Sequence, residues 1–339
     1  MQKSDLLQKT VEHIDFKTLE AVPMIDAMRK MSFTSRAIAE AADIYERMLR
    51  DPDCTIILTL AGSTSAAGLM NLYADLVRLN MVDAIVATGA SIVDMDFFEA
   101  LGFKHYIGTP DIDDHFLRSL YIDRIYDTFI DEEQLQECDN AVKTIADSLE
   151  PRPFTSREFI AEMGKWLVQN SKKPNSLVQT AYECGVPIFC PAFSDSSAGF
   201  GLVKHQWERP EKHLTLDSAG DFLELTRIKM DAPTSGLLMV GGGVPKNFAQ
   251  DTVVCAEVLG REVPMHQYAI QITVADVRDG ACSSSTLKEA SSWGKVETMY
   301  EKMVYAEATT VLPLMAANAY RKGAAEGRPA RRWSRLYEK

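Results

Sequence analysis

The spacing of apolar residues changes rhythm after residue 50. Before it, apolar positions recur at helical intervals. Leu19, Val22, Met24, Ile25, Met28 and Met31 fall in one segment, broken only by Pro23. Ala37–Leu49 carries Ile38, Ala41, Ile44, Tyr45 and Met48, the apolar stripe of an amphipathic helix. Beyond residue 50 the apolar residues come in short runs. Cys54–Leu60 (CTIILTL) reads as a strand buried on both faces. It ends in Ala-Gly-Ser-Thr-Ser, small and hydroxyl residues that make a turn and cap a helix, and that helix should run through Leu79. Asp83–Thr88 is the next strand, ending at Gly89-Ala90-Ser91, with a helix over Asp94–Leu101.

Residues 105–150 carry a weaker pattern. Asp111, Asp113, Asp114, Asp131, Glu132 and Glu133 are expected on loops and exposed helix ends, and Pro151 and Pro153 mark a break. Ser156–Asn170 is a helix with Phe159, Ile160, Met163, Trp166 and Leu167 on one face. Strand-and-turn units then return at Val186–Cys190, Gly236–Val240 and Tyr268–Thr273, the last followed by an irregular stretch over 279–286. A helix over Glu307–Tyr320 closes the pattern. Strand, small-residue turn and helix, repeated, predict an α/β fold with a doubly wound, mostly parallel sheet and helices on both faces. The expected division is an N-terminal helical extension (1–50), one domain (51–325) and a basic C-terminal tail (326–339). Such sheets bind ligands at the carboxyl ends of their strands, which nominates the turns at 62–66, 89–91, 194–199 and 241–243.

Composition narrows the function. The 339 residues are 46% apolar and 25% charged, as in a globular protein. No apolar run is long enough to span a bilayer and the N-terminus has no apolar signal core, so a cytoplasmic protein is expected. The net charge of −12 argues against nucleic-acid binding, which needs clustered Lys and Arg. It would favour a cationic ligand, although acidity of this kind also serves solubility alone. The six cysteines form no CxxC pair and have no His at zinc spacing, so buried free thiols are expected and no metal site.

Two segments carry chemistry. Gly241-Gly242-Gly243-Val244-Pro245-Lys246-Asn247 follows a strand and opens a helix. Its glycines allow a ligand close to the backbone, or simply make a tight turn; it is not a GxGxxG fingerprint. In Glu289-Ala290-Ser291-Ser292-Trp293-Gly294-Lys295 a lysine follows an indole. Desolvation of an ammonium leaves a nucleophilic amine that can form an imine, and Glu289 could handle protons or pair with a cationic substrate. A surface lysine lying along a half-buried Trp is the plainer alternative.

SSWGK at 291–295, with Glu289 and Ala290 before it, resembles the catalytic segment of deoxyhypusine synthases. GGGVPKN at 241–247 and Pro191-Ala192-Phe193-Ser194-Asp195 are similar to two further segments of that family. Asn80-Met81-Val82-Asp83 and Tyr305-Ala306-Glu307-Ala308 also have counterparts, all in the family's order. The resemblance implies a Rossmann-like sheet, NAD as a recycled hydride carrier, and a homotetramer with active sites at subunit interfaces. It implies polyamine or diamine substrates, Lys295 as covalent residue, and Trp293 and Glu289 as its neighbours. NAD contacts then fall on Gly62, Ser63, Thr64, Ser65 and Ala66, on Thr88, Gly89, Asp94 and Asp195, and on Val274, Ala275, Glu307 and Ala308. The amine falls against Gly242, Asn247, Asp251, Gly280 and Cys282.

Several amine-binding positions depart from the family. Phe200 and Cys282 stand where it has Asp, and Val93 replaces one of two paired acids. Asn247 replaces its active-site His, and Asp251 an Asn that touches substrate. Each lost charged hydrogen bond is worth about 1.5–3 kcal/mol, so the amine pocket has been rebuilt. Asp251, one helical turn beyond Asn247, either restores a charge or is an exposed helix residue. Three functions follow: aminobutyl transfer between small amines, as in homospermidine synthesis; deoxyhypusine synthesis on a protein lysine; or NAD binding without catalysis. Retention of Glu289, Trp293 and Lys295 speaks against the last, and the altered pocket against the second.

Overall fold

Every residue of Cys54–Leu60 is buried, and this strand, β1, lies inside the sheet. The computed structural model describes residues 2–338. Around β1 run β2 (Ala84–Ala87), β3 (Ile188–Phe189), β4 (Thr234–Val240), β5 (His266–Thr273) and β6 (Val296–Tyr305). The order is β3-β2-β1-β4-β5-β6 and all pairs are parallel. The chain winds from β1 to one edge, returns to β4 beside β1, and winds to the other edge. The doubly wound sheet expected from the turns is therefore present, and its direction reverses between β1 and β4.

Alternate residues of β1 feed two cores. Ile56, Leu58 and Leu60 face one side, where they join Tyr45 and Met48 of the helix Phe33–Arg50 and Leu312 and Met315 of the helix Ala308–Arg321. Ile57 faces the other, with Leu225 and Ile228 of the helix Ser218–Asp231 and Ala249 of the helix Gly243–Gln250. Burial on both faces explains why the central strands read as apolar runs. Among the described residues no helix is long and apolar enough to cross a membrane.

Three features differ from the sequence reading. Pro23 sits in the first turn of the helix Val22–Met28, where its missing N–H costs nothing, so it starts a helix and does not break one. Residues 105–131 hold a small antiparallel sheet of His105–Ile107, Thr128–Asp131 and Ile122–Ile125. Asp131 is buried there: it accepts the Glu133 N–H at 3.0 Å as a helix cap and pairs with Lys3 at 2.7 Å. The edge strand β6 (VETMYEKMVY) is the third difference: its polar residues fall in adjacent pairs, Glu297-Thr298 and Glu301-Lys302, and leave neither an apolar run nor an alternation of period two. Its Tyr300 stacks on Tyr268 with ring centroids 5.4 Å apart.

At the C-terminus, the Arg328 guanidinium enters the interior. It bonds both Asp83 oxygens and the carbonyls of Asn80 and Cys54.

Candidate active site

The carboxyl ends of β1, β4, β5 and β6 surround a cleft of about 390 Å³. It spans the point where the sheet reverses, and its walls include Gly62, Thr64, Gly241, Val274, Ala275 and Glu307. Gly62 turns out of β1 at φ 91° and Gly241 out of β4 at φ 71°. At Gly241 a Cβ would stand 2.8 Å from the Ala61 carbonyl oxygen, so glycine is required twice over. Hydroxyls tie the turns together. Ser91 Oγ donates to the Gly62 carbonyl at 2.8 Å, Ser65 Oγ to the Ser91 carbonyl at 3.0 Å, and Thr88 Oγ1 lies 3.1 Å from Ser91 Oγ.

Of the residues expected to hold a cofactor, Gly62, Thr64, Val274, Ala275, Glu307 and Ala308 line this one cleft. Ser65 and Ala66 are buried beneath it, and Ser63 is half-buried beside it. The Glu307 carboxylate accepts the Thr309 N–H at 2.9 Å and so caps the last long helix. Thr88, Gly89, Asp94 and Asp195 gather at the end of β2 instead. Gly89 is pressed against Ser196, where a Cβ would lie 2.3 Å from the serine Cβ. Asp94 accepts the Ser197 N–H at 2.9 Å. Burial pushes its carboxyl up to about 6, the Ser197 N–H opposes this, and the charges of Asp139 and Asp195 add to it.

The second group forms around Lys295. Thr286 and Glu289 make a capping box: the Glu289 N–H donates to Thr286 Oγ1 at 3.1 Å, and the Thr286 N–H to the Glu289 carboxylate at 2.5 Å. That bond holds the Glu289 carboxyl below its ordinary range. The helix Leu287–Ser292 then ends at Gly294, whose φ of 72° few side chains tolerate. The Lys295 N–H closes the turn on the Ala290 carbonyl at 3.0 Å, and the Lys295 carbonyl accepts the His266 N–H at 2.9 Å. The sequence SSWGK is thus a helix-ending turn that feeds β6.

Lys295 Nζ forms an ion pair with Asp251. The other Asp251 oxygen accepts from Asn247 Nδ2 at 2.7 Å. Three sequence candidates therefore meet in one chain of contacts, and they open on a pocket of about 370 Å³ walled by Phe222, Val254, Cys255, Val258 and Trp293. Lys295 is 12% exposed, and its Nζ lies 5.3 Å from the Trp293 ring centroid. The indole does not screen it from water in the single chain, because Trp293 is itself 70% exposed. Glu289 faces its own helix cap.

The triple glycine serves packing as well as the cleft. A Cβ on Gly242 would lie 2.3 Å from the Ser283 Cα, and the Gly243 N–H donates to Ser283 Oγ at 3.0 Å. Lys246, which the motif contains but the sequence reading passed over, is buried beside this contact. Its Nζ donates to the Cys282 carbonyl at 2.9 Å and to the Ser285 carbonyl and hydroxyl at 2.5 and 2.9 Å. Burial lowers its pKa to about 8. Cys282 and Gly280 lie exposed on the loop so held. Val93 is buried, and Phe200 is 64% exposed on the helix Ser197–Glu208.

The two groups remain apart. Lys295 immediately precedes β6 and Glu307 follows it, so a ten-residue strand separates their backbones, roughly 30 Å at about 3.3 Å per residue. The cleft and the lysine pocket share no wall residue.

Residues 23–319 match the deoxyhypusine synthase family model. A deoxyhypusine synthase-like protein of Coxiella burnetii is 68% identical over 99% of this chain and 96% of its own length. One from Caulobacter vibrioides is 65% identical over 100% of this chain and 93% of its own. A Methanosarcina mazei protein named probable deoxyhypusine synthase 2 is 39% identical over 91% of this chain and 89% of its own. Among solved structures, a candidate deoxyhypusine synthase from Entamoeba histolytica superposes with a TM-score of 0.61 at 19% identity, covering 92% of this chain and 97% of that one; it supports the fold alone.

Proposed function

Because the chain belongs to the deoxyhypusine synthase family, we propose that it transfers an aminobutyl group from a polyamine donor to an amine acceptor in the cytoplasm, with NAD as a recycled carrier and Lys295 as the covalent residue. The observation that carries the reading is the pairing of a switch-point cleft with a lysine held on a carboxylate beside an indole. The cleft suits a dinucleotide: it sits at the sheet reversal, its turns present bare backbone at Gly62 and Gly241, and its walls are small. Gly62, Thr64, Val274, Ala275 and Glu307 would hold NAD, with Asp94 and Asp195 beside them. When bound, it would supply reversible hydride acceptance next to the donor's amine nitrogen. Lys295 would take the four-carbon unit as an imine while the rest of the donor leaves as a free amine; the acceptor amine would then displace the lysine, and return of the hydride taken from the donor would leave a secondary amine with no net oxidation.

The distance between the cleft and Lys295 favours a shared site. A second copy would bring the lysine pocket of one chain to the cleft of another, in a homotetramer with two-fold related sites. Small-molecule acceptors, as in homospermidine synthesis, are favoured by Val93, Phe200 and Cys282, which stand where the resembled family has carboxylates for its amine. The test is incubation of pure protein with NAD and a panel of diamines and polyamines, with products identified by mass. A new triamine supports the proposal. Labelling of a protein lysine with no transfer to putrescine would favour deoxyhypusine synthesis instead.

A further inference from the structure

Residues 9–17 form a strap that lies against the segments following two of the ligand-side turns, and none of them lines the cleft itself. Its first hold is on the turn out of β1. Beyond Thr64 the chain makes a wide π-helical turn, Ser65–Leu69, which Gly68 interrupts at φ 100°. Turns of this kind are rare and occur often at functional sites. The Gly68 carbonyl accepts the Ile14 N–H at 2.9 Å, and a Cβ on Gly68 would stand 2.9 Å from the Glu12 carbonyl oxygen. The second hold is beyond β2. The helical stretch that carries Asp94 continues to Ala100 and places Glu99, 3% exposed, beside the strap. His13 Nε2 lies 2.9 Å from one Glu99 oxygen, His105 Nδ1 lies 2.7 Å from the other, and Lys173 pairs with the same carboxylate. A carboxylate only accepts, so both rings donate. Among the described residues His13 Nδ1 has no partner, which leaves Glu99 as the polar anchor of the ring. Burial would raise the Glu99 carboxyl, yet the hydrogen bonds from His105 and His13 hold it below its ordinary range. Lys17 closes the strap with an ion pair to Asp75.

We propose that this strap, pinned by His13 on Glu99, positions the cofactor: it fixes the turn after β1 and the turn after β2 relative to each other, so that NAD meets both already formed. The proposal rests on the NAD reading given above. It concerns residues that precede the match to the family model, which begins at residue 23. The Ile14 and His13 contacts are neighbours in sequence, so one short segment ties the two turns together. Without it the kinked turn at 65–69 samples other shapes, and the apparent affinity for NAD falls in proportion to the fraction that stays competent. No strap residue lines the pocket around Lys295, so the cost falls on cofactor binding and not on turnover once NAD is saturating. His13 is thus a positioning residue, acting through Glu99.

Calorimetric titration of the full chain with NAD, paired with product formation measured against NAD concentration, tests this. His13→Ala should bind NAD about tenfold more weakly and raise KM for NAD by a similar factor, with kcat at saturating NAD within about twofold of wild type. His13→Gln, whose side-chain amide can donate to Glu99, should return NAD affinity to within about threefold of wild type. Lys17→Met, at the partly exposed end of the strap, should weaken NAD binding by about two- to threefold and keeps the test open if His13→Ala does not fold. Tyr337→Phe, which removes a hydrogen bond to the Glu224 carbonyl near the other end of the chain, is the control: it should lower the melting temperature and leave NAD binding unchanged. Undiminished NAD binding by His13→Ala or, where that variant does not fold, by Lys17→Met would overturn the proposal. So would a fall in kcat at unchanged KM, no recovery in His13→Gln, or equal weakening in Tyr337→Phe. Calorimetry needs no turnover, so the strap is tested whether or not product forms. Wild type that fails to bind NAD removes the cofactor reading together with the strap, and wild type that binds it while His13→Ala binds equally well removes the strap alone.

Discussion

At the carboxyl ends of the strands the cleft is walled by turns and mostly small residues, whereas the pocket around Lys295 is walled by apolar side chains projecting from helices and organised by one ion pair. The first is shaped by where the backbone goes. The second is shaped by which side chains reach one another. A cleft of the first kind tolerates no added Cβ at its tight points, while a pocket of the second kind can change its ligand through one or two substitutions. Asn247 and Asp251, which stand where the family has His and Asn, belong to the second.

The largest separation between the two regions should come from Lys295→Arg. Arginine keeps a positive charge for Asp251 but cannot form an imine. Product should fall below detection while NAD affinity, measured by calorimetry, changes less than about twofold. Loss of NAD binding in this variant would join the two regions and break the comparison. The mirror experiment is Gly62→Val. A β-branched residue at φ 91° strains the turn by about 1–2 kcal/mol and puts methyl groups where a cofactor would lie. NAD should bind at least about tenfold more weakly, with the folded state retained by circular dichroism.

What the sequence reveals follows the same division. Central strands and their glycine turns were legible because burial on both faces leaves apolar runs, and a left-handed backbone requires glycine. The meeting of Asp251 with Lys295 was not legible. It depends on how far the helix Gly243–Gln250 descends and how the turn at Gly294 aims the next residue. Lys246 was missed because a lysine in a glycine-rich turn reads as exposed, and nothing local announces the three loop oxygens that receive it. The strand β6 and the small antiparallel sheet were hidden because short or edge strands carry polar residues on their open sides. The role of Glu289 as a cap was present in its spacing from Thr286, a signal outweighed by its nearness to Lys295.

A smaller effect should appear in the pH dependence of stability on the cleft side. Asp94 has a folded pKa raised from 3.8 to about 6. The folded chain therefore keeps a proton that the unfolded chain has lost, and this stabilisation is present at acid pH and disappears as pH rises through about 6. The melting temperature of wild type minus that of Asp94→Asn should fall between about pH 4 and pH 6.5 and then level off. A difference that rises over that window would show an ionised Asp94. The smallest effect is expected from Glu289→Gln. Glutamine preserves the capping box, so stability should change by less than about 0.5 kcal/mol in thermal melts and product formation by less than about threefold. A hundredfold loss of product with stability intact would give Glu289 a direct part in the chemistry.

The central claim is that Lys295 carries the transferred group, and borohydride trapping tests it most directly. Wild type incubated with NAD and spermidine, reduced, digested and analysed by mass should carry the added aminobutyl mass on the peptide containing Lys295, and Lys295→Arg should carry none. The same mass on another lysine, or trapping undiminished in the arginine variant, would contradict the account.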